Sequence, residues 1–591
     1  MAASFLPGLF LLAVLLGALP APSQAKTDCG IAPHPSWSNT EIKVWNDICQ
    51  GRVADLRGRP DGNRVLSPDF LETILTEKKW QDGTPRQGVR IVGAIFEQPL
   101  DLSGAELKRE LWLNESRFDR NVNFFDFSSD SLISFSGSEF KALLSLHRVQ
   151  VKKSIYLNGA HLTSAHFRSA NIAGNIEFGW ATVTGMLDMD GLHIGQNLFM
   201  STEGDSRASF NEIVLRNANI GGQVGLGGAK VSGRLNMNGL HVGGNLFMDS
   251  RGEAKASFSE INLGGADIGG QIAFIGATVS GRLNMNALHV GQNLLMRSQM
   301  DAKTSFAKVD LTGAQIGGSL QLGGATFNGE TDLSGSTVKG EFTLSMYDDP
   351  PIWGKDARLF LHNAQVGALQ AGEKDPWPGT GKLRLEGFTY DRLGGLRGDG
   401  TKSMADLGAD RFIDWLARMP EYSPQPYEQA AKVLRGMGHR DKADDILLAG
   451  RERERSQATG GAWVVQSMLR WTIGYGYDYR YSLIWVGLLT AMGTLLLCTS
   501  RPNQVHPPTW MADHTAEITG RCPLAHYLYH RWVVALVYSF EMLIPLVSLR
   551  DAHRNDDPRG MVRYYFYAHR LAGWVLASFI AAGLSGLAHP G

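Results

Sequence analysis

One phrase occurs three times in this chain at an unvarying distance. TGMLDMDGLHIGQNLFM begins at Thr184, SGRLNMNGLHVGGNLFM at Ser232 and SGRLNMNALHVGQNLLM at Ser280, a 48-residue period. A fixed period of this size marks a solenoid, in which each repeat buries its apolar face by stacking on its neighbours. A shorter register runs beneath it. Ala94, Ala105, Ser116, Phe127, Ser138, Val149 and Ala160 open successive 11-residue units, and the register returns at Ala218, Ala266 and Ala314. Each unit has a small residue, then apolar residues at alternate positions bounded by Gly and Asn, the pattern of short strands buried on one face. An 11-residue helical supercoil is the rival. The Gly in nearly every unit argues against it, since Gly in a helix interior costs about 1 kcal/mol relative to Ala.

The expected fold is therefore mainly β, a right-handed parallel β-helix over 91–395 with coils of about 22 residues, two units per coil. The 48-residue repeat is then two coils plus a small insertion. At about 4.8 Å per rung, Ala94 to about Met346 makes roughly ten or eleven coils. From about Asp348 the pattern dissolves into Pro and Gly, and Leu383–Leu393 is expected as a last coil or cap. The insertions Ser201–Arg207, Asp249–Lys255 and Arg297–Lys303 recur with the same period and should project in a row. They carry Glu203, Asp205, Arg207, Asp249, Arg251, Glu253, Lys255, Arg297, Asp301 and Lys303, either a binding face or a row of solvated turns.

At 591 residues the chain should hold several domains. Its 57 basic and 58 acidic residues leave no excess charge for nucleic acid. An apolar run from Phe5 to Ala18 followed by Ser23-Gln24-Ala25 fits a signal peptide over 1–25, or an uncleaved anchor. Cys29 and Cys49 lie just beyond it in a segment over 26–90, where export favours a disulfide. Ser67-Pro68 there starts a helix expected to cover the first coil. After the solenoid, 405–457 reads as an αα-hairpin, with Ser423-Pro424 opening one helix and Asp441 the next.

The region 460–591 reads as a membrane tail. Tyr481–Ser500 and Leu571–Ala588 are long and apolar enough for C-terminal transmembrane helices. Trp532–Leu549 holds Glu541 and Pro545 and is expected to be half-inserted. That arrangement places the arginines from Arg501 to Arg570 on the cytoplasmic side and the solenoid outside. An intramembrane acid such as Glu541 is a functional candidate. Thr472-Ile473-Gly474-Tyr475-Gly476 has the shape of a potassium-channel filter, but the charged sequence before it cannot supply a preceding span.

His193, His241 and His289 share the long period, two rungs apart and too far to share a metal. Asp188 and Asp190 are a carboxylate pair of the kind glycosidases use, yet Asn236, Asn238, Asn284 and Asn286 replace them in later copies. No catalytic, metal or cofactor site is assigned.

GVRIVGAIFEQPLDLSGAEL, the DLSGA-type units, YSPQPYEQAAKVLRGMGH, YSFEMLIPL and GWVLASFIAAGLSGL resemble a functionally uncharacterised group of bacterial membrane proteins. Their pentapeptide-like or bactofilin-like β-helices precede a membrane tail. The resemblance implies an inner-membrane protein with a periplasmic solenoid. Relatives are sometimes labelled membrane-associated oxidoreductases, but the chain has no GxGxxG after a strand, no C-x-x-C and no CxxCH. The function expected is a non-enzymatic scaffold that binds an envelope protein or polymer and contacts the lipid bilayer, with homo-oligomerisation open. A channel or transport subunit and an envelope enzyme are the alternatives.

Overall fold

The computed structural model describes residues 31–204, 206–345, 349–395, 403–476, 479–499, 524–544 and 560–585. The signal segment, Cys29 and Asp205 lie outside them. The chain divides into two compact units, Met1–Asn262 and Leu263–Gly591.

The first unit opens with helix α1 (Asn39–Cys49), started by a capping box in which Ser38 and Glu41 satisfy each other's backbone N–H groups. Cys49, at its end, is disulfide-bonded. Helix α2 (Pro68–Thr76) begins as expected, with the Ser67 hydroxyl accepting from the Phe70 N–H and Pro at its first position. Helix α3 (Lys78–Gly83) follows. Glu41 also accepts from the Ser67 N–H at 2.8 Å and its hydroxyl at 2.6 Å, so one carboxylate ties two helix starts together. Burial works against that charge, but the hydrogen bonds from Ser67 and Ser38 outweigh it and hold the carboxyl below the ordinary glutamate range. Trp37, Trp45, Phe70 and Trp80 pack edge-on or tilted with ring centroids 4.7–5.9 Å apart.

Strand Ala54–Asp55 pairs in parallel with Val89–Val92, and the coils wind on from there. Asn171, Ile176, Thr182 and Leu187 start successive strand positions before His193 begins the next coil. Each 11-residue unit thus makes two strand positions, and Ala170, Ile172, Ile176 and Phe178 show its four inward side chains, all buried. Asn171 pairs with His193, His193 with Asn219 and Asn219 with His241. Phe96, Phe118 and Phe140 stack one per coil, 4.9 and 4.5 Å apart and nearly parallel. At one corner the Asn175 Oδ1 accepts from the Asn197 N–H, and the Asn197 Oδ1 from the Gln223 N–H, a ladder that satisfies corner backbone. Its two steps differ, 22 residues from Asn175 to Asn197 and 26 residues from Asn197 to Gln223. This alternation of a short and a long coil is the 48-residue repeat.

The second unit repeats this path. Asp267 pairs with His289, His289 with Gln315 and Gln315 with Thr337. The coils do not stop near Asp348. Ile352–Trp353 lies beside Thr326–Phe327, Gln365–Gln370 beside Thr337–Thr343, and Thr389–Leu393 beside Gln365–Leu369. The steps from Thr337 to Gln365 and from Gln365 to Thr389 are both longer than the short coil. Extra chain in the turns erases the sequence register, while Leu359, Leu361, Val366 and Leu369 stay buried. Together the units carry about 14 turns; the ten or eleven expected covered Ala94 to about Met346, and the others come from the strands before and after that stretch.

Helices α4 (Ala409–Leu416), α5 (Pro424–Gly436) and α6 (Arg440–Gln457) follow. They close the end of the solenoid. Gln425 accepts from the Gly387 N–H and donates to the Phe388 carbonyl, and Gln429 donates to the Tyr390 carbonyl. Amide side chains thereby occupy backbone groups that a terminal coil would leave open. Helices α7 (Gly461–Ile473), α8 (Tyr479–Thr499), α9 (Leu524–Leu543) and α10 (Met561–Ser585) complete the described chain. The last three pack on one another. By length and composition one helix among the described residues, Arg480–Thr499, is apolar enough to cross a membrane. Helix α10 includes Arg563 and Arg570, and the half-insertion expected for Trp532–Leu549 falls partly outside the described residues.

Candidate functional site

Each insertion folds into a minute hairpin. Glu203 and Ser206 exchange both backbone hydrogen bonds, as do Arg251 and Ala254, and Gln299 and Ala302. In the first unit two hairpins are latched together: the exposed Arg207 donates to the Lys255 carbonyl at 2.7 Å and approaches the Ser257 hydroxyl at 3.3 Å. Beneath the first, buried Thr202 donates to the Gly228 carbonyl and accepts from the Ala208 N–H, fixing where the insertion leaves the coil. Glu203, Arg251, Glu253 and Lys255 are exposed or nearly so, whereas Asp249 is half-buried. Burial raises the Asp249 carboxyl above the ordinary aspartate range; its own backbone hydrogen bond and Arg251 offset only part of that. In the second unit Arg297, Asp301 and Lys303 belong to the third hairpin and its flanks.

Between the two hairpins of the first unit lies an open cleft of about 900 Å³. Glu203 and Arg207 border it on one side, Arg251 and Glu253 on the other. Three further lining residues, Glu177, Trp180 and Phe199, come from the coil and were missed by the sequence reading. Asn158 positions the acid: its Oδ1 accepts from the Gly179 N–H at 2.8 Å and its Nδ2 donates to Glu177 Oε2 at 2.9 Å. Trp180 has φ +45°, and no other aromatic among the described solenoid residues has a positive φ. For an L residue that left-handed conformation costs about 1–2 kcal/mol. Its ring is accommodated by Gly159, where a Cβ would run into the indole Nε1. The signal was present in the repeat itself. One repeat further along, Glu177 and Trp180 become Gly225 and Gly228, and one repeat beyond that Ala273 and Gly276. Gly228 and Gly276 have φ +70° and +77°, so the later copies carry glycine at a left-handed position where the first copy places a tryptophan.

The remaining candidates resolve individually. Asp188 is buried and ion-paired with Arg168 at 2.7 Å, and Asp190 pairs with Arg216 at 2.9 Å. In the next copy Asn262 donates to Asn236 across the same rungs, a ladder of polar pairs. Asn219 stands between His193 and His241 in the pairing, so two rungs do separate them. Among the described residues no group of three or more His, Cys, Asp or Glu is arranged to hold a metal. The filter-like segment forms a short turn, Gly474–Gly476, closing α7.

In the helical tail, Glu541 on α9 is buried. It lies near in sequence to a polar centre that the sequence reading missed. The Ser539 hydroxyl donates to the Thr490 carbonyl on α8, and His569 on α10 donates from Nε2 to the Ser539 carbonyl, each at 3.0 Å. Small residues allow the approach: a Cβ on Gly493 would strike Ser539, and one on Gly573 the Leu543 carbonyl. No protein-family model, curated protein or solved structure matches this chain.

Proposed function

We propose that the chain is a non-enzymatic binding protein of the bacterial envelope. A right-handed solenoid lies in the periplasm, and the helical tail is anchored in the inner membrane. The observation that carries this reading is the cleft between latched insertions, because per-repeat insertions are where solenoids commonly bind. Membrane anchoring is supported by the apolar helix Arg480–Thr499 and by exposed Trp463, Val465, Leu488, Trp532, Leu571 and Trp574 on the tail helices. The disulfide at Cys49 suits an oxidising compartment. The test places a photo-crosslinking residue at Glu253 of the full chain in intact bacterial cells. A discrete adduct, lost when Glu203–Ser206 is deleted, is the expected result; labelling no greater than from a solvent-facing residue elsewhere on the coils defeats the proposal.

A second reading, a transport subunit, is favoured by the buried Ser539–His569–Thr490 centre and Glu541 inside the helical bundle. Conductance across planar bilayers that changes in Glu541→Gln is its expected outcome, and silent bilayers remove it.

A further inference from the structure

We infer that the cleft of the first unit binds a glycan strand, with a pyranose ring stacked on Trp180 and its hydroxyls held by Glu177. This names the ligand class for the binding reading above and rests on it.

Four features of the cleft select that chemistry. First, an aromatic face is supplied where the later copies carry glycine: Trp180 adopts φ +45° at a position held by Gly228 and Gly276 in the next copies. Its indole N–H meets no acceptor among the described residues, so the ring offers an apolar face and an uncommitted donor together. Second, Glu177 is pre-oriented. Asn158 holds one carboxylate oxygen and is itself fixed by the Gly179 N–H, leaving the other oxygen to accept from a ligand hydroxyl.

Third, the charges do not suit an ion. Glu177, Glu203 and Glu253 face Arg207 and Arg251, and Arg207 is already engaged with the Lys255 carbonyl. Donors and acceptors of both kinds around a neutral, hydroxyl-rich ligand fit that balance. Fourth, the backbone is closed to a peptide strand. The hairpin residues Glu203 and Ser206 spend both hydrogen bonds on each other, as do Arg251 and Ala254, and the coil strands bond to the neighbouring rungs. Strand addition therefore has no free edge to use here. The volume, near the upper end of the range of about 300–1,000 Å³ for ligand sites, admits more than one sugar ring.

Calorimetry of the full chain in detergent tests this, titrating N-acetylchitotetraose, cellotetraose and maltotetraose, with an uncharged tetrapeptide as control. At least one sugar should bind, the peptide should not, and both Trp180→Gly and Glu177→Ala should weaken the sugar at least tenfold. Trp180→Gly restores the residue that the next copies carry, so the fold is expected to tolerate it, and a thermal melt of the same sample checks this. No sugar binding, or binding untouched by Trp180→Gly in a folded sample, overturns the glycan assignment. If the Glu253 adduct in cells nevertheless persists and proves to be a protein, the binding reading survives without its glycan. If that adduct is also absent, both fall.

Discussion

The corner at Trp180 and the corner at Gly228 occupy the same place in successive copies of one repeat, yet meet opposite demands. At Gly228 a Cβ would come within 3.0 Å of Thr202 and 3.1 Å of Ala254, and φ is +70°. Close approach and backbone conformation both require glycine there. At Trp180 the same left-handed turn carries the bulkiest side chain in the alphabet, and the neighbouring coil makes room with Gly159. Where a repeat overrules its own structural preference, the exception points to function more strongly than the rule does.

Substitutions across these two corners sharpen or break that contrast. The largest effect is expected from Gly228→Trp, which should lower stability by roughly 2–4 kcal/mol through overpacking and backbone strain. Trp180→Gly should leave stability unchanged or raise it by up to about 1 kcal/mol. Urea midpoints of the full chain in detergent read both, and equal losses would erase the distinction. Next comes Asn158→Ala, which strands the Gly179 N–H and releases Glu177, for about 1–3 kcal/mol. Amide exchange at Gly179 should accelerate; unchanged protection contradicts the role given to Asn158.

Arg207→Ala should cost about 0.5–1.5 kcal/mol by unlatching the hairpins. It should speed proteolysis around Gly252, and an unaltered digest rejects the latch. The smallest effect belongs to Asp249, the second-copy counterpart of Ser201. Its folded-state carboxyl titrates above the unfolded one, so it favours folding most at low pH and loses that advantage as pH rises through the raised value. Asp249→Asn should therefore stabilise the fold slightly near neutral pH and not at all in acid. A gain of equal size in acid would point to packing instead.

Much of this architecture could be read from the residues because a solenoid writes its fold as a period. The 11-residue register gave the inward side chains, and the insertions were placed correctly because a few extra residues per repeat interrupt a regular count. Ser67-Pro68 and Ser423-Pro424 marked helix starts through local chemistry at the first turn, which needs no tertiary information. The coils between about Asp348 and Leu383 were not legible, since turns of variable length hide strands only two or three residues long, whereas Leu383–Leu393 does carry strands of the last coil. Nor was the cleft floor found by pattern matching. Glu177 and Trp180 look ordinary within their own unit and become informative only when compared with Gly225 and Gly228. His569 and Ser539 meet through packing of separate helices, for which sequence spacing offers no guide.

The alternation of short and long coils carries a consequence for how such a chain can grow. A duplicated 48-residue segment brings its own rung contacts and its own hairpin, so enlarging the molecule also multiplies its attachment points. Chemical identity at each point can then drift independently, because the residues that define it lie outside the set that stacking requires. A tryptophan in one copy and glycines in the next are what that freedom produces.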